Sequence, residues 1–190
     1  MFMLKNVRMS YPVIYKPEAF KKNSPKYSAV FLLEPDSDQH KAVMEEIKRV
    51  AKEAFEGKAV AVLKKQNASD RKLVREGNDK VNDDDVITDG YEDMVYIKGA
   101  NKSKVKLVNR DRSALTEEDG VLYGGCYVNA QLDIWAQDND YGKFINCKLL
   151  AIQVWGEGEP FSTDTAADLD AFETTENLEP ISSEDDDIPW

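Results

Sequence analysis

Between Tyr127 and Trp155 the chain spells out a long β-hairpin, and no other stretch restricts the fold so tightly. From Tyr127 to Ala136 apolar and polar residues alternate, with Val128, Ala130, Leu132 and Ile134 on one side and Tyr127, Asn129, Gln131, Asp133 and Trp135 on the other. A period of two marks a strand with one buried face. Asp138-Asn139-Asp140-Tyr141-Gly142 supplies turn formers, and Lys143 to Trp155 reads as the returning strand. A turn near Asp140 puts Cys147 opposite Leu132 and away from Cys126, so both cysteines read as packing residues rather than a disulfide.

The rest of the chain supplies shorter elements. Leu4 to Tyr15, interrupted by Pro12, suggests an edge strand or a strand leading into a loop, and Tyr27 to Leu33 a mostly apolar strand. Asp36 or Ser37 caps a helix in which Val43, Met44, Ile47, Val50, Ala51 and Ala54 recur at helical spacing, and Gly57 ends it. Ala59 to Leu63 fits either a short strand or continued helix. The polar stretch from Lys64 to Asp89 has no period and reads as a long, mobile insertion. Met94 to Ala100 and Lys104 to Val108 suggest a hairpin across Asn101-Lys102-Ser103. Two long strands, several short ones and one helix predict a mainly β chain, best accommodated by a small five-stranded Greek-key barrel.

The charge is divided unevenly. The 190 residues carry a formal charge of -11, which by itself argues against a polyanionic partner. Residues 157–190, however, hold twelve acids and no Lys or Arg, leaving the first 156 residues with 25 cations against 24 acids. A near-neutral body can bind phosphates where its cations cluster, and such asymmetry between segments is the pattern to look for. About 155 residues suit one compact domain. The predicted organisation is therefore a body over 1–156, a disordered linker over 157–182 and an acidic tip over 183–190.

Cations and aromatic residues interleave in the body. One group comprises Arg8, Tyr11, Tyr15, Lys16, Phe20, Lys21, Lys22, Lys26 and Tyr27; a second comprises Tyr96, Lys98, Lys102, Lys104, Lys106 and Arg110. Tyr127 and Trp135 add aromatic rings on the polar face of the long strand. Lysines that track phosphates and flat rings on which unpaired bases stack are what single-strand binding needs. Any one such residue on a strand surface is ordinary; their grouping is the argument. The residues expected to contact nucleic acid are Tyr11, Tyr15, Lys16, Lys21, Lys22, Lys26, Tyr96, Lys98, Lys102, Lys104, Lys106, Tyr127 and Trp135.

The tip reads Ser183-Glu184-Asp185-Asp186-Asp187-Ile188-Pro189-Trp190. An extended acidic segment cannot bury itself, so its ordering cost is recovered when a partner supplies basic side chains and an apolar slot. Asp185, Asp186, Asp187, Ile188, Pro189 and Trp190 closely resemble the C-terminal tip of bacterial single-stranded DNA-binding proteins, which ends Asp-Asp-Asp-Ile-Pro-Phe. That resemblance implies recruitment of replication or recombination proteins, with the terminal ring in an apolar pocket and the carboxylates on Arg and Lys of the client. In the body, Tyr96-Ile97-Lys98-Gly99-Ala100-Asn101, Val108-Asn109-Arg110-Asp111 and Leu122-Tyr123-Gly124-Gly125-Cys126-Tyr127-Val128-Asn129-Ala130 resemble phage-encoded single-stranded DNA-binding proteins. This second resemblance implies an OB-fold-like Greek-key barrel that binds single-stranded DNA irrespective of sequence during phage replication, recombination or repair. Opposite charges on one chain also meet at high effective concentration, so the tail is expected to compete for the lysine-rich groove. The rival reading is an interaction protein that mimics the tail to capture host replication enzymes without binding DNA.

Other chemistry finds little support. Gly124-Gly125 lacks the Gly-Lys-Ser/Thr of a phosphate loop and suits a bulge or a tight bend leading into a strand. Asp83-Asp84-Asp85 is a loop run, whereas Mg²⁺-dependent hydrolysis needs carboxylates from several elements. His40 is the only histidine and neither cysteine has a CxxC partner, so no zinc site or catalytic triad is expected. The chain reads as a non-enzyme with no cofactor. It has no apolar run of eighteen residues and no signal-peptide layout at Met1-Phe2-Met3-Leu4-Lys5, which predicts a cytoplasmic protein of the bacterial host with no membrane partner. The pattern suits a monomer or a dimer equally.

Overall fold

The structure is a computed structural model that describes residues 1–19, 24–82 and 84–161. Its elements, in chain order, are β1 (Phe2–Glu18), β2 (Lys26–Leu33), α1 (Asp38–Phe55), α2 (Ala59–Asn67), β3 (Val74–Glu76), β4 (Val95–Asn101), β5 (Lys106–Val108), β6 (Tyr127–Asn139) and β7 (Gly142–Gly156). One sheet holds all the strands in the order β3-β4-β2-β1-β6-β7-β5. Since β5 follows β4 after a break of four residues and pairs in parallel with β7 at Lys106↔Ala151 and Val108↔Gln153, the two ends of the sheet come together. Asn101, the last residue of β4, donates from Nδ2 to the Leu149 carbonyl at 2.8 Å and reinforces that closure. The result is a mainly β, OB-like barrel, as expected, but its sheet has seven strands rather than five, because three-residue β3 and β5 are added at its two ends.

The long hairpin forms as its alternation dictates. Val128, Ala130, Leu132 and Ile134 are buried, and a two-residue turn at Asp140-Tyr141 joins Asn139 to Gly142. That turn places Cys147 opposite Ile134, two residues from the expected Leu132; both cysteines are buried and free. Ser37 caps α1, its hydroxyl accepting from the His40 amide, and Val43, Ile47, Val50, Ala51 and Phe55 close the core against the inner faces of the strands. Each Val, Ile or Phe side chain buried so fully contributes about 1.5–3 kcal/mol.

Several expectations are corrected. Leu4–Tyr15 belongs to a strand flanked on both sides, by β2 and β6, rather than an edge strand. Pro12 is tolerated because the β1–β2 register slips by one residue between Ser10↔Val30 and Val13↔Ser28, and Tyr11 enters this bulge with φ +45°. Ala59–Asn67 is a second helix, so the inserted α-structure comprises two helices. The stretch from Lys64 to Asp89 is structured: it completes α2, adds β3 to the sheet, makes a 3₁₀ turn over Gly77–Asp79 and forms a bridge between Val81 and Ile87. The expected 94–108 hairpin does not form, since β4 pairs with β2 and β3 while β5 pairs with β7.

The body also runs past Gly156. The Phe161 amide donates to the Gly124 carbonyl at 3.0 Å, and the Tyr123 hydroxyl donates to the Gly158 carbonyl at 2.9 Å. The Phe161 ring joins a second apolar cluster, with Val30, Leu32, Tyr91, Ile87, Met94 and Tyr96, on the outer face of β2. This explains why β2 is apolar on both faces. Two glycines make room for the strap: a Cβ at Gly125 (φ +113°) would overlap the Glu159 carbonyl, and one at Gly90 (φ +76°) the Phe161 ring. Residues 157–161 are thus part of the body rather than linker. The rest of the linker and the tip lie outside the described residues.

Candidate nucleic-acid interface

The outer face of β4-β2-β1 floors an open groove of about 1720 Å³. Register fixes its rungs. Lys98 lies beside Val30, which lies beside Ser10; Ala100 lies beside Ser28, which lies beside Val13. On the far side of the groove the β6–β7 hairpin presents Asp133, Trp135 and Gln137 with Asn146 and Lys148. Between these walls stand Arg71, Lys72, Arg75 and Lys80, all from the segment after α2. Eight cationic side chains line the groove (Lys26, Arg71, Lys72, Arg75, Lys80, Lys98, Lys102 and Lys148) against three acids (Asp70, Asp79 and Asp133). A body with almost no net charge therefore concentrates positive potential on one surface, where it can attract a polyanion.

Lys98 shows how crowded this charge is. Partial burial, followed by repulsion from Lys80, Arg75 and Lys26, holds its ammonium below the usual lysine range. An anion placed among these four cations would relieve the repulsion.

Aromatic rings are set into the same surface. Tyr11 is 49% exposed, its bulge projecting the side chain into the groove. Behind it Tyr91 is fully buried, with ring centroids at 6.4 Å from Tyr11 and 5.2 Å from Tyr96, the latter edge-on at 76°. Burial pushes the Tyr91 phenol up to about 12, partly opposed by the neighbouring Ser10 hydroxyl, so it stays protonated at neutral pH. Tyr91 is a support for Tyr11 and Tyr96 and has no face free for a base. Trp135, 41% exposed, offers a second ring on the other wall.

Of the residues expected from sequence, Tyr11, Lys26, Tyr96, Lys98, Lys102 and Trp135 meet in this groove. Tyr15 does not: it is half-buried beneath another surface, its hydroxyl donating to the Leu122 carbonyl at 3.3 Å. Lys16 pairs with Glu117 at 3.5 Å. Lys104 and Lys106 are exposed but do not line the groove, and half-buried Tyr127 lies beside Gly158. Lys21, Lys22 and the tip residues Asp185 to Trp190 fall outside the described residues. Missed from the sequence were Arg71, Lys72, Arg75, Lys80 and Lys148; their only sequence signal was local cationic density, obscured by interspersed acids. Asp84 and Asp85 form a turn on Asn82, whose Oδ1 accepts from the Asp84 and Val86 amides at 3.0 Å each. Among the described residues no three His, Cys, Asp or Glu side chains converge as metal ligands, and no helix is long and apolar enough to cross a membrane.

Residues 1–185 match the family model of the Enterobacter phage Enc34 ssDNA-binding protein. Putative protein p50 of Acyrthosiphon pisum secondary endosymbiont phage 1 is 30% identical over 174 residues, covering 90% of this chain and 91% of that protein. The single-stranded DNA-binding protein of bacteriophage Enc34, in a structure with ssDNA, superposes with a TM-score of 0.66 at 28% identity over 84% of this chain and 88% of that one. Gp2.5, the single-stranded DNA-binding protein of bacteriophage T7, is similar in fold alone: TM-score 0.52 and 13% identity, over 86% of this chain and 96% of that one.

Proposed function

The chain belongs to the family of the Enterobacter phage Enc34 ssDNA-binding protein, and from that premise we propose that it binds single-stranded DNA irrespective of sequence in phage DNA replication, recombination or repair. The observation that carries this reading is the groove between β4-β2-β1 and the β6–β7 hairpin, where eight cations meet two exposed rings, Tyr11 and Trp135. Cations there contact phosphates and release counterions, while the rings stack on bases. Neither contact reads base identity, which is why binding tolerates any sequence. The non-enzymatic reading rests on the family, whose model is that of an ssDNA-binding protein. Titration with oligo(dT) and with duplex DNA at two salt concentrations tests it: preferential, salt-dependent binding of the single strand is expected, and equal or absent binding refutes it.

The tip Asp185-Asp186-Asp187-Ile188-Pro189-Trp190 serves a separate role as the recruiting segment for replication or recombination proteins. Its support is the order of its residues, acids followed by an apolar pair and a terminal ring. Removal of these six residues is expected to abolish client binding while leaving oligo(dT) binding in place; retained client binding refutes it.

A further inference from the structure

We infer that Gln66, a buried amide, is the positioning residue that fixes the basic side of the groove formed by Arg71 and Lys72. β7 pairs with β6 along one edge, but its other edge meets β5 only at Ala151–Gln153. Near Ile145 that second edge has no strand beside it, and the carboxamide of Gln66 takes the missing strand's place. Gln66 Oε1 accepts from the Ile145 amide at 2.8 Å, and Nε2 donates to the Ile145 carbonyl at 2.7 Å. Nε2 also donates to the Arg71 carbonyl at 2.9 Å. One side chain, 3% exposed, thereby ties the last turn of α2 to β7 and the start of the Arg71–Arg75 segment to both.

Two further interactions point the same way. The Arg71 guanidinium stacks on the Phe144 ring of β7 at 4.2 Å. The Ser69 hydroxyl donates to the Gln66 carbonyl at 2.8 Å and accepts from the Arg71 amide at 3.2 Å, so the turn out of α2 has one defined course. Without the Gln66 clamp, Arg71 and Lys72 would be held only from the far side, where Leu73 and Val74 pack on the core and β3 pairs with β4, and ordering the loosened turn on DNA would cost conformational entropy at binding. Replacing the Gln66 amide would also leave the Ile145 backbone groups unsatisfied.

This inference rests on the proposed DNA-binding role, and its test separates the two. Full-length wild type, Gln66→Met, Ser69→Ala, Arg71→Ala/Lys72→Ala and the combination of Gln66→Met with that pair are titrated with oligo(dT) across salt concentrations, with circular dichroism giving the folded fraction. Folded Gln66→Met is expected to bind about fivefold more weakly, its log K against log[salt] flattened by about 0.7 for each phosphate that Arg71 and Lys72 no longer neutralise. Removing Arg71 and Lys72 then costs less than it does in wild type, because the clamp and the charges act as one unit. Ser69→Ala, exposed and harmless to the core, moves the salt slope in the same direction and stands in should Gln66→Met not fold. Full additivity, or an unchanged slope in the folded variants, overturns the inference. Amide exchange in DNA-free protein gives the independent reading: it rises across residues 68–75 but not in β6 when either residue is replaced, and unchanged exchange overturns the clamp whatever the DNA result. Absence of single-strand preference in wild type overturns the DNA-binding role alone.

Discussion

The Lys80 ammonium stands 5.1 Å from the centroid of the Tyr11 ring. One residue comes from the segment following α2 and the other from a bulge in β1, so the sheet brings a cation and a ring together from opposite ends of the fold's first half. The pairing keeps Tyr11 upright beside Tyr91 and puts a positive charge within reach of any phosphate attached to a base stacked on that ring.

Tyr11→Ala is therefore expected to weaken oligo(dT) binding by about 1–3 kcal/mol, the contribution of one stacked base. Tyr11→Phe keeps the ring and should bind nearly as wild type. Tyr15→Ala serves as the contrast: it removes a half-buried ring and the bond to Leu122, so it should lower thermal stability while leaving the affinity of the folded protein unchanged. Fluorescence titration beside thermal melts separates the three.

Charge removal should follow the groove rather than the sequence. Arg75→Ala and Lys148→Ala, on lining residues, are each expected to weaken binding and to flatten the salt slope by about 0.7 for the phosphate that the native cation neutralises. Lys104→Ala and Lys106→Ala, equally cationic but off the groove, should leave the slope in place. Titrations at four or five salt concentrations give the comparison directly.

Lys98 makes a pH prediction. Its free-state pKa is lowered, first by burial and then by Lys80, Arg75 and Lys26, and a bound phosphate would raise it again. Binding then takes up a proton in the window between the two values, so affinity should fall as pH rises through the lowered free-state value. Lys98→Arg stays charged and should remove this alkaline component. The sign for folding is opposite: because the folded pKa lies below the unfolded one, the cost of charging Lys98 is present at lower pH and is relieved as pH rises through the folded value. Parallel binding and denaturation series from pH 7 to pH 10 read both signs.

What was legible in the sequence was local. The hairpin from Tyr127 to Trp155 declares itself because a period of two needs no knowledge of the partner strand, and α1 because its apolar spacing and Ser37 cap lie within one segment. Partner choice was not legible. Lys104 to Val108 looks like the return strand of β4, yet β5 runs parallel to Ala151–Gln153, which only barrel closure brings alongside. The same limit divides the candidate site: Trp135 sits on a strand with readable faces, whereas Tyr11 enters the groove through a bulge and Arg71 to Lys80 reach it because β3 adds to β4 and Gln66 reaches Ile145, features no local pattern records. Lys104 and Lys106 are neighbours of the site in sequence but not in space.

The end of the body offers the last test. Composition places the boundary at Gly156, but the Arg8 guanidinium donates from Nη2 to the Glu159 carbonyl at 2.6 Å and stacks on the Phe161 ring at 4.2 Å, so the strap is held by β1 itself. A chain ending at residue 161 is expected to melt as the full-length protein does and to bind oligo(dT) at least as tightly, since it sheds ten of the twelve acids beyond Gly156 and keeps every described residue that lines the groove. A chain ending at residue 156 uncovers Val30, Leu32 and Tyr91 and orphans the Arg8 donor. Half-burial of the Phe161 ring stabilises the body by about 1–2 kcal/mol, which for a domain of this size is about 2–8 °C in Tm. Phe161→Ala in the full chain should reproduce most of that loss, and equal melting temperatures for the 156 and 161 truncations would return the strap to the linker.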